Sequence, residues 1–78
     1  MSNLSLEVAA HASLPVPALA RAIRTRAGVS QARLARELGV SRMTINRWEA
    51  GTRRPRGLHL IAYVAVLSDL QRATGGKR

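Results

Sequence analysis

The 78-residue sequence predicts an all-α domain, a compact bundle of about four to five short helices that contains a helix-turn-helix. Three observations support this fold class. Helix-forming residues dominate, and runs of β-branched residues are short. Serines and glycines recur at the spacings of helix starts and stops. One Trp and no Phe leave a core of Leu, Ile, Val and Ala, which suits short, closely packed helices.

The N-terminal segment, residues 1–16, is expected to hold one short helix over residues 5–12. Ser5 can cap this helix, because Ser is a favoured N-cap residue. Glu7 would then lie in its first turn, where the helix dipole favours a carboxylate. Pro15 breaks the chain after this helix.

The next helix is predicted over residues 17–27. Pro17 suits its first position, since the proline φ angle is already helical, and Gly28 ends it. The spacing of its apolar residues predicts that the buried stripe consists of Leu19, Ala22 and Ile23.

Residues 31–50 carry the helix-turn-helix pattern. Ser30 and Ser41 stand at N-cap positions of two helices, over residues 30–38 and 41–50. Gly39 stands where the first of these helices must end in a left-handed conformation, which Gly adopts cheaply. The residues expected to face inward are Leu34, Ala35, Leu38, Val40, Ile45 and Trp48.

A basic loop, residues 51–57, precedes a last helical segment over residues 58–73, either one helix or two with a bend. This segment is apolar on nearly all sides, so it should be buried on all sides. The N-terminal segment or a second subunit could cover the face that the domain core leaves free. We therefore place the helix-turn-helix domain at residues 17–73 and a flexible tail at residues 74–78.

The charge of the chain predicts an anionic partner. Lys and Arg number 13 against four acids, for a net charge of +9. Residues 21–56 contain ten arginines and only the acids Glu37 and Glu49. Arg pairs through two N–H groups with guanine or phosphate, which Lys cannot do. The alternatives are a surface charge that serves solubility alone and a GC-rich coding bias towards Arg.

Several other classes of protein are disfavoured. The chain has no Cys, which rules out disulfides and thiolate metal sites, and His11 and His59 lie too far apart for a metal-ligand pair. The N-terminus lacks the pattern of a signal peptide. The longest apolar stretch, residues 58–67, is about half the length of a membrane span. The acids are scattered with no nucleophile beside a base, so we expect no enzyme, cofactor or metal.

The second helix of the helix-turn-helix carries a candidate base-reading surface. At 100° per residue, Ile45 and Trp48 project into the core and four other side chains project outward. Arg can bind guanine, Asn can bind adenine, and Met can contact a thymine methyl in the major groove. A solvated helix face is the alternative. We call this outward set the reading face, and it consists of Arg42, Met43, Asn46 and Arg47.

A second set of residues is expected to hold DNA phosphates or enter the minor groove. Helix N-termini bind phosphate through free N–H groups and the helix dipole. Arginines in the loop after the second helix can clamp phosphates. The set consists of Gln31, Ser41, Thr44, Arg53, Arg54 and Arg56.

The stretch from about Arg24 to Leu67 resembles the lambda-repressor-like helix-turn-helix family, which includes phage repressors and Cro proteins. The likeness rests on SQARLARELGVSRMTINRWEAG, followed by RRPRG and an apolar helix. The positions that match the family pattern are Gln31, Ala35, Gly39, Ile45, Trp48, Glu49 and Gly51.

The resemblance implies roles for several residues. Gln31 would contact the DNA backbone, the reading face would contact bases, and Arg56 could approach the minor groove. Arg24 and Glu49 would form a partly buried ion pair, where the alternative is an exposed Glu49 carboxylate. Arg42 departs from the family, which often has Gln there, and Ala50 stands where a polar residue is common. The operator sequence therefore cannot be borrowed from a relative.

These observations predict a sequence-specific regulator of transcription that binds double-stranded DNA. By resemblance, it would be a phage or prophage Cro-like protein or small repressor in the bacterial cytoplasm, associated with the nucleoid. It would occupy a palindromic operator, with a homodimer that could form only on DNA. The alternative is an antitoxin or protein-binding adaptor on the same scaffold. We expect no membrane partner, since no long helix has one basic and one apolar face, and no small-molecule substrate.

Overall fold

The computed structural model describes residues 2–75 and shows five α-helices and no strand in that range. The prediction of an all-α domain of four to five helices is confirmed. The last helix is a single continuous element of 19 residues, which is one of the two arrangements that the sequence left open for this segment. The helices are α1 (Asn3–Ser13), α2 (Pro17–Arg26), α3 (Gln31–Leu38), α4 (Arg42–Ala50) and α5 (Gly57–Gly75).

Local sequence signals determine the ends of the central helices. The hydroxyls of Ser30 and Ser41 each accept a hydrogen bond from the backbone N–H three residues ahead, at 3.0 and 3.1 Å. These bonds satisfy N–H groups that have no partner within the helix. Gly39 ends α3 with φ +71° and Gly51 ends α4 with φ +79°, both left-handed. The tight turn between α3 and α4 follows from these residues.

The start of α1 differs from the prediction. The helix begins at Asn3, and the hydroxyl of Ser2 accepts from the backbone N–H of Ser5 at 3.1 Å, so Ser2 and not Ser5 is the cap. Glu7 consequently lies beyond the first turn of α1. Its carboxylate instead accepts from the backbone N–H of Gly57, at 3.3 Å, and thus satisfies the first turn of α5.

The core lies where α2, α3, α4 and α5 meet. The rings of Trp48 and Tyr63 pack at its centre, with centroids 4.8 Å apart and a tilt of 43°. Val40, expected to face inward, is only partly buried. The buried cluster consists of Ala20, Ile23, Leu34, Ala35, Leu38, Ile45, Trp48, Tyr63 and Leu67.

The buried stripe of α2 differs from the prediction at two positions. Leu19 is 48% exposed and Ala22 is also exposed, whereas Ala20 is buried together with Ile23. The reason is that Arg24 belongs to the inward face. If every Arg is assumed to lie on the surface, the buried face predicted for α2 is displaced by about one residue from the observed one.

The free face of α5 is covered by α1, which is one of the two arrangements that the sequence left open. Ala10 on α1 and Leu60 on α5 are buried. Helix α5 also continues through Thr74 and Gly75, which we expected in the flexible tail. The remaining tail residues, 76–78, lie outside the described residues.

A buried ion pair joins α2 to α4. Arg24 donates from Nε to Glu49 Oε2 at 2.5 Å and from Nη2 to Oε1 at 2.9 Å. Its Nη1 donates to the carbonyl of Val29 at 2.8 Å, and Gln31 Nε2 donates to Glu49 Oε1 at 3.0 Å. The hydrogen bonds from Arg24 to Glu49 raise the pKa of Arg24, and they outweigh the opposing effect of burial.

Tyr63 is buried, and its hydroxyl has no hydrogen-bond partner among the described residues. Burial raises the pKa of Tyr63 to about 12, because the phenolate would lose its hydration. The negative charge of Glu49 acts in the same direction, and the positive charge of Arg24 acts against it.

We predict that Glu49→Gln lowers the free energy of unfolding by about 3 kcal/mol, because it leaves the Arg24 charge buried without a counter-ion. Glu37→Gln is the matched control. Glu37 pairs with Arg33 at 3.0 Å, but both side chains are more than half exposed. Glu37→Gln should therefore lower the free energy of unfolding by less than about 0.5 kcal/mol. Urea unfolding followed by circular dichroism measures both values, and equal losses would contradict the prediction.

We also predict that alkaline pH destabilises this protein through Tyr63. The folded pKa, about 12, lies above the ordinary value of 10.0, so stability is complete below pH 10 and falls as the pH rises towards 12. The loss should reach roughly 2 kcal/mol. Tyr63→Phe should remove most of this dependence and be as stable as the natural protein at pH 7, since it deletes an unpaired hydroxyl. Urea unfolding at several pH values tests this, and an undiminished dependence in the variant would refute it.

Candidate nucleic-acid interface

Helix α4 separates a buried side from an exposed side. Ile45 is fully buried and Trp48 is 5% exposed, so both anchor the helix in the core. The four side chains of the reading face are all exposed, and Met43 has 52% of its surface open to solvent. The short turn after α3 and the caps at both ends of α4 hold this face outward. Its side chains are therefore accessible to a ligand outside the domain.

A chain of hydrogen bonds connects the buried ion pair to the reading face. The Glu49 carboxylate only accepts hydrogen bonds, so the amide nitrogen of Gln31 must point towards it. The Gln31 carbonyl oxygen then faces outward and accepts from Arg42 Nη1 at 3.4 Å. The half-buried Gln31 thus links Arg42, on the surface, to the rigid contact between α2 and α4.

Hydroxyl groups cluster at the N-terminus of α4. Ser41 Oγ lies 2.9 Å from Thr44 Oγ1 and also accepts from the Thr44 backbone N–H. Ser41 is exposed and Thr44 is partly buried. Hydroxyls and the positive end of a helix dipole are together suited to a phosphate oxygen.

A basic cavity lies between α4 and the loop that follows it. It has a volume of about 380 Å³. Pro55 is buried and anchors the loop, while the arginines beside it are exposed. None of the described residues that line this cavity is acidic. The lining residues are Thr44, Arg47, Trp48, Arg53, Arg54, Pro55, Arg56 and His59.

The structure adds two residues that the sequence analysis did not select. Arg21 lines a polar cleft with Gln31, Asn46 and Glu49. It lies three residues before Arg24, on the adjacent side of α2, so helical spacing could have indicated it. His59 is exposed and lines the basic cavity. No sequence signal places it there, because its position depends on how α5 packs.

The acidic side chains of the helices that follow α1 are engaged by arginines away from the reading face. Glu49 pairs with Arg24, Glu37 with Arg33, and Asp69 with Arg72. Within residues 2–75, no ion pair involves the arginines of the reading face or of the following loop. These guanidinium groups therefore present uncompensated positive charge on one side of the domain.

The described residues show neither a metal site nor a membrane span. Nowhere in residues 2–75 do three or more His, Asp or Glu side chains come together as metal ligands would. None of the five helices combines the length and the apolar character needed to cross a bilayer.

Comparison with protein families bears on the function of this surface. A family described as helix-turn-helix matches residues 21–68, which include all of α3 and α4, most of α2 and the first part of α5. Comparisons with curated proteins and with solved structures find no match. The matched residues make up more than half of the chain. The chain therefore belongs to the lambda-repressor-like helix-turn-helix family of DNA-binding regulators, whose partner is double-stranded DNA.

Proposed function

We propose that this protein is a sequence-specific repressor of transcription, a phage Cro-like protein or a small phage repressor, that occupies operator sites through the major groove. The observation that carries the proposal is the reading face of α4, which is exposed, free of acids and linked through Gln31 to the buried pair of Arg24 and Glu49. Rigid support matters, because base readout requires donors and acceptors at defined positions.

Each member of the reading face has a role in the major groove. Arg42 and Arg47 bind the O6 and N7 atoms of guanine, and Asn46 binds the N6 and N7 atoms of adenine. Met43 contacts a thymine methyl group with its exposed thioether side chain. Gln31 limits the motion of Arg42, so less conformational entropy is lost when that guanidinium reaches a base.

The remaining candidate residues bind the DNA backbone. The basic cavity gathers Arg53, Arg54 and Arg56, which can hold phosphates or, in the case of Arg56, approach the minor groove. Ser41 and Thr44 bind a phosphate at the N-terminus of α4, and Gln31 contacts the DNA backbone at the N-terminus of α3. These contacts set the register of α4 in the groove.

A palindromic operator requires two copies, with their reading helices about 34 Å apart, one turn of DNA. The net charge of +9 makes two free copies repel each other. DNA between the arginine-rich faces would neutralise this repulsion. We therefore propose a homodimer that assembles on the operator.

The alternative function is an antitoxin or a protein-binding adaptor. It would use the apolar side chains that α1 and α5 leave exposed, where Leu4 is 71%, Val8 63% and Leu58 67% exposed. Co-expression with the product of the neighbouring gene, followed by a pull-down, tests it. A stable complex together with no duplex binding would favour the adaptor over the repressor.

We predict that Arg42→Ala and Arg47→Ala each weaken binding to the preferred operator by about 1–3 kcal/mol and relax sequence preference at one position. Binding-site selection from random duplexes identifies that operator and the half-site spacing. Arg72→Ala is the control, because Arg72 lies on α5 and pairs with Asp69. If the double variant of Arg42 and Arg47 kept its affinity and preference, the assignment of the reading face would be wrong.

We predict a different result for the loop arginines. Arg53→Gln combined with Arg54→Gln should weaken binding to all duplexes alike, because phosphate contacts carry no base information. The dependence of log affinity on log salt concentration should become shallower by about two units, about one for each lost contact. A salt titration on operator and random duplex measures this. A changed base preference with an unchanged salt slope would exclude a backbone role.

A further inference from the structure

A second cavity, distinct from the basic one, lies between the α1–α2 connection and the loop after α4. Its volume is about 210 Å³. One wall comes from Leu14 to Pro17, and the opposite wall comes from Trp48 and the loop residues Arg53 and Arg54. Because the family match begins at residue 21, the first wall lies outside the matched part of the chain.

The size and chemistry of the cavity select a class of ligand. A cavity of about 150 Å³ can hold benzene, so this larger one has room for one ring and a small substituent. Leu14, the two prolines and Trp48 provide an apolar lining for the ring. The exposed guanidinium groups of Arg53 and Arg54 suit a carboxylate, which Arg binds in a planar, two-pronged fashion. Tyr63 also lines the cavity, and its buried hydroxyl has no partner in the described chain.

We propose that this cavity binds a small aromatic monocarboxylate, and that the ligand acts as an effector. No acid lines the cavity to compete for the arginines among the described residues. The carboxylate would bind to Arg53 and Arg54, and the ring would lie against Trp48 and the α1–α2 connection.

The same residues give the ligand a route to the DNA surface. Arg53, Arg54, Trp48 and Pro55 line both this cavity and the basic cavity. A guanidinium group that binds a carboxylate on one side is no longer free to bind a phosphate on the other. The ligand therefore lowers the affinity of this protein for DNA. This effect on DNA binding rests on the proposed function, whereas the binding of the ligand does not depend on it.

The first experiment is a titration of the full chain with sodium benzoate, followed by nuclear magnetic resonance. Wild-type signals of the Trp48 indole and the Gly51 amide, both at the cavity, should shift and saturate at millimolar benzoate. Acetate supplies the charge without the ring, and benzyl alcohol supplies the ring without the charge. Neither should produce a saturating shift at equal ionic strength.

Variants locate the site. Arg53→Gln with Arg54→Gln should weaken benzoate binding by at least about tenfold, because two charged hydrogen-bond donors are lost. Arg56→Gln is the matched control, because Arg56 lines the basic cavity but not this one. The benzoate affinity of this variant should stay within about twofold of the wild-type value. All these side chains are exposed, so the variants should fold. No saturating shift in the wild type, or equal losses in both variants, would overturn the proposal.

The second experiment measures binding to the selected operator in benzoate and in acetate at matched ionic strength. Benzoate should weaken wild-type binding several-fold and leave the variant of Arg53 and Arg54 unaffected. If operator affinity is the same in saturating benzoate as in acetate, the effector role is wrong. Benzoate binding without any duplex binding would refute the proposed function and leave the ligand site standing, so the two failures can be told apart.

Discussion

The buried ion pair between Arg24 and Glu49 is the contact on which the rest of the structure depends. It joins α2 to α4 across the core. Glu49 Oε1 also accepts a hydrogen bond from Gln31 and so orients that side chain at the start of α3. Two charges removed from water are costly unless every donor and acceptor is satisfied. Here the third guanidinium nitrogen donates to the Val29 carbonyl, so each nitrogen of the guanidinium group and each oxygen of the carboxylate has a hydrogen-bond partner. Three helices are thus held in one mutual orientation, and the direction of the reading face follows from it.

The same pair explains how an arginine-rich domain keeps one uniform cationic surface. A free carboxylate beside the reading face would repel DNA phosphates and compete for the guanidinium groups that should contact bases. Glu49 stands next to that face in sequence, yet it is buried and neutralised by Arg24. The acids Glu37 and Asp69 pair within their own helices with Arg33 and Arg72. Within residues 2–75, the arginines of α4 and its following loop therefore form no ion pair with these acids and remain available to an external anion.

The predictions from sequence were most accurate for features that depend on local interactions, such as the ends of helices. Ser30, Ser41 and Gly39 mark the ends of α3 and α4 because a cap or a left-handed glycine needs only its neighbours. Predictions failed where distant contacts decide. Leu19 is exposed because Arg24 occupies the inward face of α2, where it pairs with Glu49 on α4. The start of α1 is an exception, because its cap is local and is Ser2, which suits that role as well as Ser5 does. In the candidate site, helical spacing placed the reading face outward and could have indicated Arg21, whereas the position of His59 depends on how α5 packs. The DNA-binding roles of all these residues stay predictions.

The N-terminal helix α1 covers an apolar side of α5, and the connection that follows α1 forms one side of a cavity. Helix α5 is apolar around much of its circumference, and α1 covers the side that α2 and α3 cannot reach. The connection from α1 to α2 lines a cavity together with Trp48, and Pro15 and Pro17 restrict the conformations that this connection can adopt. A stiff connection cannot collapse onto the core to fill every gap. The space left beside Trp48 is bounded by the loop arginines, so the segment that completes the fold also forms one side of a cavity next to the candidate nucleic-acid interface.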